Sequence, residues 1–399
     1  MSTAVMTHRL ELNSAAAGAL KRAVQFWFVV TVIGQLVFAF TVASFYGMTA
    51  LRGDLHAWNK VLAHGYIPGD GVGNVALAAH LLSAVVIILA GSLQLVPQIR
   101  ERFPILHRWN GRLYIVTAFS VSLAGLYLMW VRGTVGDLPQ HLGTSLMAVL
   151  IMLCAVMALR YAMARDFKTH RRWALRLYLV VSASLFIRIG TFLAIFLNHG
   201  PFGFDPTTFR GPFLTFISFA QYLVPLGVLE LYLRTQDRPT ALRRLAMAAG
   251  LFVLTLAMGA GIFAVTLGAF VPNIKKAYDR RISIAETVSA TLASGAMDQA
   301  VKQYHDLKVS ASTTYNFDED ELNTLGYQFM KTKQYKEAIR IFQLNIEAFP
   351  KSSNVYDSLA EAYMDDGEKE LAIANYQKSL QLNAKNRNAM RMLEKLNRQ

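Results

Sequence analysis

The sequence has almost none of the cysteine that would hold a domain or a cofactor covalently. It contains one cysteine, Cys154, in 399 residues. A single cysteine excludes an intramolecular disulfide and a Cys-x-x-Cys-His site for haem attachment. Charge is also scarce, because only 17% of the residues are charged and 54% are hydrophobic. The distribution of the hydrophobic residues therefore decides the class of protein.

Uninterrupted apolar runs fill most of residues 24–271. Each run is close to the ~20 residues that a helix needs to cross ~30 Å of hydrocarbon. A backbone in lipid must satisfy its own hydrogen bonds, so every span is predicted to be a helix. The first run follows Lys21 and Arg22 as in a signal peptide, but it is too long and lacks a clear cleavage site. The pattern predicts an all-α, polytopic bundle with retained spans at about 24–47, 75–97, 112–131, 142–162, 174–198, 212–233 and 246–271.

The net charge of +14 belongs to the apolar part of the chain. Up to residue 271 there are 22 Lys and Arg against 9 Asp and Glu, and beyond it 18 against 17. Seventeen of these 22 basic residues lie in the tail 1–23 and in the second, fourth and sixth loops between spans. Four lie in the first, third and fifth loops, on the opposite side. This bias sets orientation. It predicts a membrane protein with a cytoplasmic N-terminus and an outward C-terminal region, and no nucleic-acid partner.

The C-terminal region contains an internal repeat with a period of 34 residues, over 319–385. Small and aromatic residues coincide in the two copies: Leu325, Gly326, Phe329, Ala338, Phe342 and Pro350 match Leu359, Ala360, Tyr363, Ala372, Tyr376 and Ala384. This pattern resembles the tetratricopeptide repeat, a helix–turn–helix unit. A degenerate first copy has Gly295, Ala300 and Tyr304 in the places of Gly367, Ala372 and Tyr376, and the final helix resembles a cap.

The resemblance implies an α-helical solenoid over 284–399, joined to the last span by a connector at 272–283. Such stacks present a concave surface to a protein or peptide, here a periplasmic one. A spacer without any ligand is the alternative. The sequence of this region has no paired nucleophile and base, no metal-ligand spacing and no phosphate loop, so no catalytic residue is predicted.

Four of the nine histidines form a pattern within the apolar part. The pattern consists of two pairs along the chain, His80 with His107 and His141 with His170. Each pair begins with His-Leu at the predicted outer end of one span and ends with His-Arg at the predicted inner start of the next. This repetition indicates a duplicated helix hairpin over about 75–198. His80 and His141 are expected near the outer face, and His107 and His170 near the cytoplasmic face. Pro104 is suited to the first turn of a helix that carries His107.

Imidazoles from facing helices can ligate the iron of a non-covalent b-type haem. The layout is similar to that of the transmembrane di-haem b cytochromes. This resemblance implies His80 with His141, and His107 with His170, as axial ligands in an electron-transfer path. Gly91 and Gly111 would leave room for a flat macrocycle, or would equally permit close helix packing. Interfacial anchoring by His, Trp, Tyr and Arg is the alternative for these histidines, and a different polar site is a third.

Arg188 is the strongest polar signal inside a span, where an unpaired charge is costly. It is predicted to bind an anionic group, either a haem propionate or a substrate carboxylate, and pairing with carbonyls or a lipid phosphate is the alternative. Glu230 is expected to be an interfacial charge, and Gln94 and Gln221 to hydrogen-bond between helices.

The segments HLLSAVVIILAGSLQL, RERFPILHRWNGRLYI and THRRWALRLYL resemble an uncharacterised bacterial family of predicted membrane proteins, over about residues 75–235. The family implies a topology and no activity. Two hypotheses follow: haem-based electron transfer, as part of a membrane oxidoreductase, or a haem-free scaffold or sensor whose tetratricopeptide region binds proteins.

Overall fold

A computed structural model describes residues 3–62, 65–205, 208–279, 281–292 and 296–398. The chain divides into two compact units, Met1–Tyr278 and Asp279–Gln399. The division falls inside the segment 272–283. Each unit is described by itself.

The first unit is a bundle of long helices. Within the described residues, seven helices are long and apolar enough to cross a membrane, so the prediction of seven spans is confirmed. Lipid is therefore the expected surrounding of this unit. Its α-helices are α1 (Thr3–Val42), α2 (Met48–Leu51), α3 (Gly71–Gln94), α4 (Pro97–Arg102), α5 (Pro104–Tyr127), α6 (Leu138–Met163), α7 (Phe167–Asn198), α8 (Pro212–Asp237), α9 (Ala241–Val265) and α10 (Val271–Tyr278).

The first and last spans extend further than the apolar runs predicted. The tail 1–23 is helical from Thr3 onward, and Leu20 and Ala23 pack against Ala248 and Leu251 of α9. A π-helical segment, Ala43–Gly47, joins α1 to α2. Two other π segments, Leu128–Gly133 after α5 and Thr266–Phe270 after α9, and a 3-10 turn, Leu55–Lys60, complete the unit.

Helix starts follow local capping chemistry. Pro104 occupies the first turn of α5, so the third long helix begins before its apolar run and carries His107 on its first turn, as predicted. An aspartate accepts a hydrogen bond from a backbone N–H in the first turn of three helices, which satisfies a donor that the helix leaves free. The pairs are Asp70 with Gly73 (2.8 Å), Asp137 with Gln140 (3.1 Å) and Asp166 with Thr169 (3.1 Å).

The long helices pack in pairs: α1 on α9, α3 on α5, and α6 on α7, with α7 also against α8 and α9. The α3–α5 pair is close because of small residues. The Tyr114 ring occupies the space beside Gly91, and the Gln94 amide lies beside Gly111. These glycines therefore permit close helix packing at this interface.

Arg132 ties the loop before α3 to the end of the span that contains α5. Its side chain is only 4% exposed, and it pairs with Asp70 at 3.3 Å. Its guanidinium also donates to the carbonyls of Gly65 and Gly73 and to Asn74 Oδ1, at 2.8–2.9 Å. Because Arg132 is buried and its charge is satisfied by this many acceptors, its role is to hold these two segments together.

The second unit consists of short helices and one pair of strands. Two-residue strands, β1 (Ile282–Ser283) and β2 (Tyr315–Asn316), pair in parallel and were not predicted. The helices are α11 (Ile284–Leu292), α12 (Met297–Ser310), α13 (Glu319–Lys331), α14 (Tyr335–Ala348), α15 (Ser353–Asp366), α16 (Lys369–Leu382) and α17 (Arg387–Arg398). Helices α13 to α17 each pack against the next in sequence, and α11 packs against both α12 and α13.

Repeated positions of the second unit form its core. Ala338, Phe342, Ala372 and Tyr376 are completely buried, and Ala300 and Tyr304 of α12 are nearly so. A Cβ on Gly326 would lie 2.4 Å from the Phe342 ring, so this glycine lets α13 and α14 approach. Gly295 lies outside the described residues.

Candidate functional site

The two histidines predicted near the outer face lie in different surroundings. His80 Nδ1 is 3.0 Å from the carbonyl oxygen of Val121 on α5. His141 Nε2 is 3.4 Å from both Thr134 Oγ1 and the Val135 carbonyl, so its ring is turned toward the loop before α6. At ~1.5 Å per residue, His80 is about 14 Å along α3 from its N-terminus, and His141 about 5 Å along α6 from its N-terminus. No contact among the described residues brings these two rings together.

The two histidines predicted near the cytoplasmic face are neighbours. His107 and His170 lie on the first turns of α5 and α7, close enough for their charges to interact. His170 Nδ1 is 2.8 Å from the carbonyl oxygen of Ala158 on α6. Since a carbonyl only accepts, Nδ1 carries the proton and Nε2 is left as the basic nitrogen. His107 Nδ1 is buried and has no hydrogen-bond partner in the described part of the chain.

The repeated segments that contain these histidines share a second feature, Trp-x-x-Arg-Leu-Tyr. The guanidinium of Arg112 lies over the Trp109 ring at 4.6 Å, and that of Arg176 over the Trp173 ring at 4.8 Å. The tyrosines that follow, Tyr114 and Tyr178, are 6% and 4% exposed and lie close enough to interact. The duplication therefore brings two phenols into the core, where the sequence analysis assigned no role to them.

The extra residue in the second copy lies between His-Arg and Trp. One residue turns a helix by about 100°. His107 and His170 consequently occupy different faces of their helices when the two copies are aligned on their tyrosines. The sequence pattern suggested equivalent positions, and the two histidines are not equivalent.

Arg188 lies in a second polar group, which we name the outer site: Arg188, His80 and Tyr46. Arg188 is about 15 Å along α7 from its C-terminus, at ~1.5 Å per residue, similar to the distance of His80 from the N-terminus of α3. Its charge is close enough to act on Tyr46 and His80. It donates a hydrogen bond to the Ser184 carbonyl. Its side chain is accessible at the surface of the structure.

Two aromatic rings pack next to the outer site. The Arg188 guanidinium lies over the Phe38 ring at 4.5 Å, and Phe38 stacks on Phe270 at 5.6 Å. Tyr46 and Phe270 both lie in π-helical segments. Such segments are rare in proteins, and those that occur are often found at functional sites. Among the residues that the structure describes, no carboxylate pairs with Arg188. Tyr46 could not be recognised from the sequence, because it lies at the end of an apolar run.

The other three polar residues predicted from the sequence of the spans, Glu230, Gln94 and Gln221, have hydrogen-bond partners. Glu230 accepts from Arg176 at 2.7–2.8 Å, so it is an ion-pair partner between α8 and α7. Gln94 donates to the His107 carbonyl at 2.9 Å and joins α3 to α5, as predicted. Gln221 donates to the carbonyl of Ser218 in its own helix, so the prediction of an interhelical bond was wrong there.

Comparison with known families agrees with this architecture. Residues 77–224 match the model of a family described as predicted membrane protein (DUF2306). The match runs from α3 into α8 and includes the four histidines and Arg188. The expected similarity to a family of predicted membrane proteins is therefore confirmed over this region. No curated protein sequence matches the chain.

Proposed function

We propose that the membrane unit binds a b-type haem between His107 and His170 and carries single electrons through it. The observation that supports this is the buried Nδ1 of His107 on the first turn of α5, unpartnered within the described residues, together with His170 on the first turn of α7, in the other half of the duplication. One-electron exchange is the chemistry that a haem supplies when it is bound. Arg172 and Arg176, in the same turns of α7, are engaged by Asp237 and Glu230 and are not available as ligands or counter-ions.

The hydrogen bonding of the inner histidines fits a ligand role. A metal-bound histidine usually donates its second ring N–H to a carbonyl or carboxylate, which fixes the ring. His170 makes this contact through Nδ1 to Ala158. The unpartnered, buried Nδ1 of His107 is costly without a ligand or a proton acceptor. Each ring therefore has a nitrogen without a partner among the described residues that could bind a ligand, Nε2 in His170 and Nδ1 in His107.

We restrict the proposal to this inner pair. An outer haem would need His80 and His141, and His80 has a suitable arrangement, with Nδ1 held by Val121. His141 directs Nε2 at Thr134 and Val135, and it lies about 9 Å shallower along its helix than His80, at ~1.5 Å per residue. These contacts favour a structural role for His141 at the membrane rim.

The absorption spectrum of the purified protein tests the haem. From haem-replete cells it should contain a Soret band that sharpens and shifts on reduction by dithionite, with about one haem per chain. A colourless preparation that takes up no added hemin would contradict the proposal and would favour a haem-free scaffold or sensor.

The outer site supports a second candidate function, the binding of an amphipathic anion. The specific observation is Arg188, a charge in the outer half of a span with no carboxylate partner in the described residues. Such a charge is expensive unless something compensates it. A carboxylate with an apolar tail would pair with the guanidinium, and its neighbour His80 keeps Nε2 as a hydrogen-bonding atom.

Ligand-dependent thermal stability distinguishes this site from the haem site. Laurate should raise the melting temperature of the detergent-solubilised protein saturably, and dodecanol should not. Arg188→Gln should remove the effect of laurate, and Arg188→Lys should keep part of it. Equal stabilisation by laurate and dodecanol would contradict the anion site without bearing on the haem.

The second unit is proposed to be a tetratricopeptide stack that binds a protein or peptide partner. Support comes from the aligned residues of α13–α14 and α15–α16, which are buried at equivalent positions, and from α12, which contributes Ala300 and Tyr304 at the matching positions. Stacked repeats leave a continuous surface for an extended partner. Crosslinking of the intact protein in cells should capture a defined partner through α13–α16, whereas a spacer would give none.

The proposed orientation is a cytoplasmic N-terminus and an outward second unit in a bacterial inner membrane. Seven crossings place the two ends of the membrane unit on opposite sides, and the 17 basic residues lie on one of them. A C-terminal alkaline phosphatase fusion should be active, and a C-terminal green fluorescent protein fusion should be dark. The reverse pattern would overturn the orientation.

A further inference from the structure

The inner ends of α8 and α9 enclose an open cleft of about 840 Å³. This volume lies within the ~300–1,000 Å³ range of small-molecule sites. The two helices make few contacts with each other, in contrast with the close α1–α9 pair. A bilayer lipid is the molecule that has access to such a cleft.

The two ends of the cleft differ in chemistry. Arg234 and Arg238 end α8, Arg243 begins α9, and all three line the cleft. Val228 and Leu254 line its other end. From Arg238 to Val228 is about 15 Å at ~1.5 Å per residue, which equals half of a ~30 Å hydrocarbon core. The cleft therefore has the polarity and the length of one lipid leaflet.

The three arginines present uncompensated charge. Asp237, the one acid that lines the cleft, is engaged by Arg172 of α7. The guanidinium of Arg243 donates to the Arg238 carbonyl at 3.3 Å. Within the described residues, no carboxylate pairs with Arg234, Arg238 or Arg243. All three side chains are exposed, so they can reach a phosphate.

We propose that this cleft is a binding site for one anionic phospholipid of the surrounding leaflet. The arginines bind the headgroup phosphate, since a guanidinium can donate two parallel hydrogen bonds to it. The acyl chains lie along the apolar walls of α8 and α9. Basic pockets between spans on the cytoplasmic side are suited to anionic lipids, so the site also agrees with the proposed orientation but does not depend on any haem.

Gly250 offers a way to close the cleft without disturbing the helix. It lines the cleft, and a Cβ built on it meets nothing within 4 Å. Gly250→Phe should therefore fill the space that a lipid chain occupies. Gly259→Phe is the matched control, because Gly259 lies on the same helix, is equally open and does not line the cleft.

Native mass spectrometry with added phosphatidylglycerol or phosphatidylethanolamine of the same acyl chains tests the site. The parent should bind the first phosphatidylglycerol molecule at least tenfold more tightly than the first phosphatidylethanolamine molecule. Replacing Arg234, Arg238 and Arg243 together by Gln should remove that preference, and Gly250→Phe should remove the tight site. Replacing Arg102, Arg165 and Arg171 by Gln should leave it, as should Gly259→Phe.

Equal affinity of the parent for the two lipids would overturn the proposal outright, whatever the variants do. Retention of the preference in the Arg234, Arg238 and Arg243 variant, or its equal loss in both triple variants, would also overturn it, because general surface charge would then explain the binding. Helix content and elution volume identify any variant that is misfolded, and the parent comparison remains decisive.

Discussion

Tyr114 packs directly over Gly91, so a Cβ at position 91 would lie 2.8 Å from its ring. This contact joins the first duplicated hairpin, α3 and α5, at the level where Tyr114 approaches Tyr178 of the second. Packing around the repeated tyrosines therefore helps to hold the first hairpin together.

Gly91→Ala should destabilise the membrane unit. The methyl group would force the Tyr114 ring to move, and overpacking of this kind costs about 1–3 kcal/mol. The melting temperature in detergent should fall. Gly259→Ala is the control, because its Cβ meets nothing within 4 Å and alanine favours a helix. An equal melting temperature for Gly91→Ala and the parent would show that the ring does not fill that space.

Arg176 and Glu230 should be energetically coupled. Their side chains are 22% and 42% exposed, so the pair is only partly screened by water. Arg176→Gln and Glu230→Gln should each lower the melting temperature, and the double variant should lose less than their sum, with a coupling of about 1 kcal/mol. Additive losses would mean that the Arg176–Glu230 pair contributes nothing to the packing of α7 on α8.

Residues 279–399 should fold without the membrane unit. They form a compact unit with its own buried core, and their charge is nearly balanced. The isolated unit should be soluble and helical and should unfold cooperatively by circular dichroism. Gly326→Val should abolish the cooperative transition, because its Cβ would lie 2.4 Å from Phe342. A gradual melt of the parent unit would contradict an independent fold.

The stability of this isolated unit should contain a pH-dependent contribution from Asp357. Burial raises the pKa of the Asp357 carboxyl, although the amides of Asn386 and Asn388 donate to it and act in the opposite direction. The folded state thus favours the protonated acid, so this contribution is complete below the unfolded pKa of ~3.9 and is lost as pH rises through the folded value.

Asp357→Asn should remove the loss of stability that the Asp357 carboxyl causes as pH rises. Urea unfolding between pH 3 and pH 7 should show the parent losing stability relative to the variant as pH rises above ~4. Parallel curves for the two proteins would mean that the carboxyl has the same pKa folded and unfolded.

The length of the apolar runs was sufficient to predict the seven spans, and local chemistry was sufficient to predict that Pro104 starts the helix of His107. The pairing of His80 with His141 was inferred from sequence spacing. Spacing does not report the direction of a ring, and His141 follows the local loop through Thr134 and Val135.

The outer site was only partly predictable. Arg188 was visible as a charge in an apolar run, but its neighbours come from distant segments. Tyr46 is positioned by a π-helical segment, a backbone feature that hydrophobic periodicity does not reveal. The cleft between α8 and α9 was not predicted. In the sequence its arginines were counted only as basic residues that predict the orientation of the chain in the membrane.

The haem content of four single variants tests the central claim most directly. His107→Ala and His170→Ala should each remove the haem, because neither Trp nor Arg nearby can replace an axial imidazole. His141→Ala is the matched control and should keep the full content, and His80→Ala should do the same if one inner haem is present. Full haem content in the His107 and His170 variants, or no haem in the parent, would contradict the account.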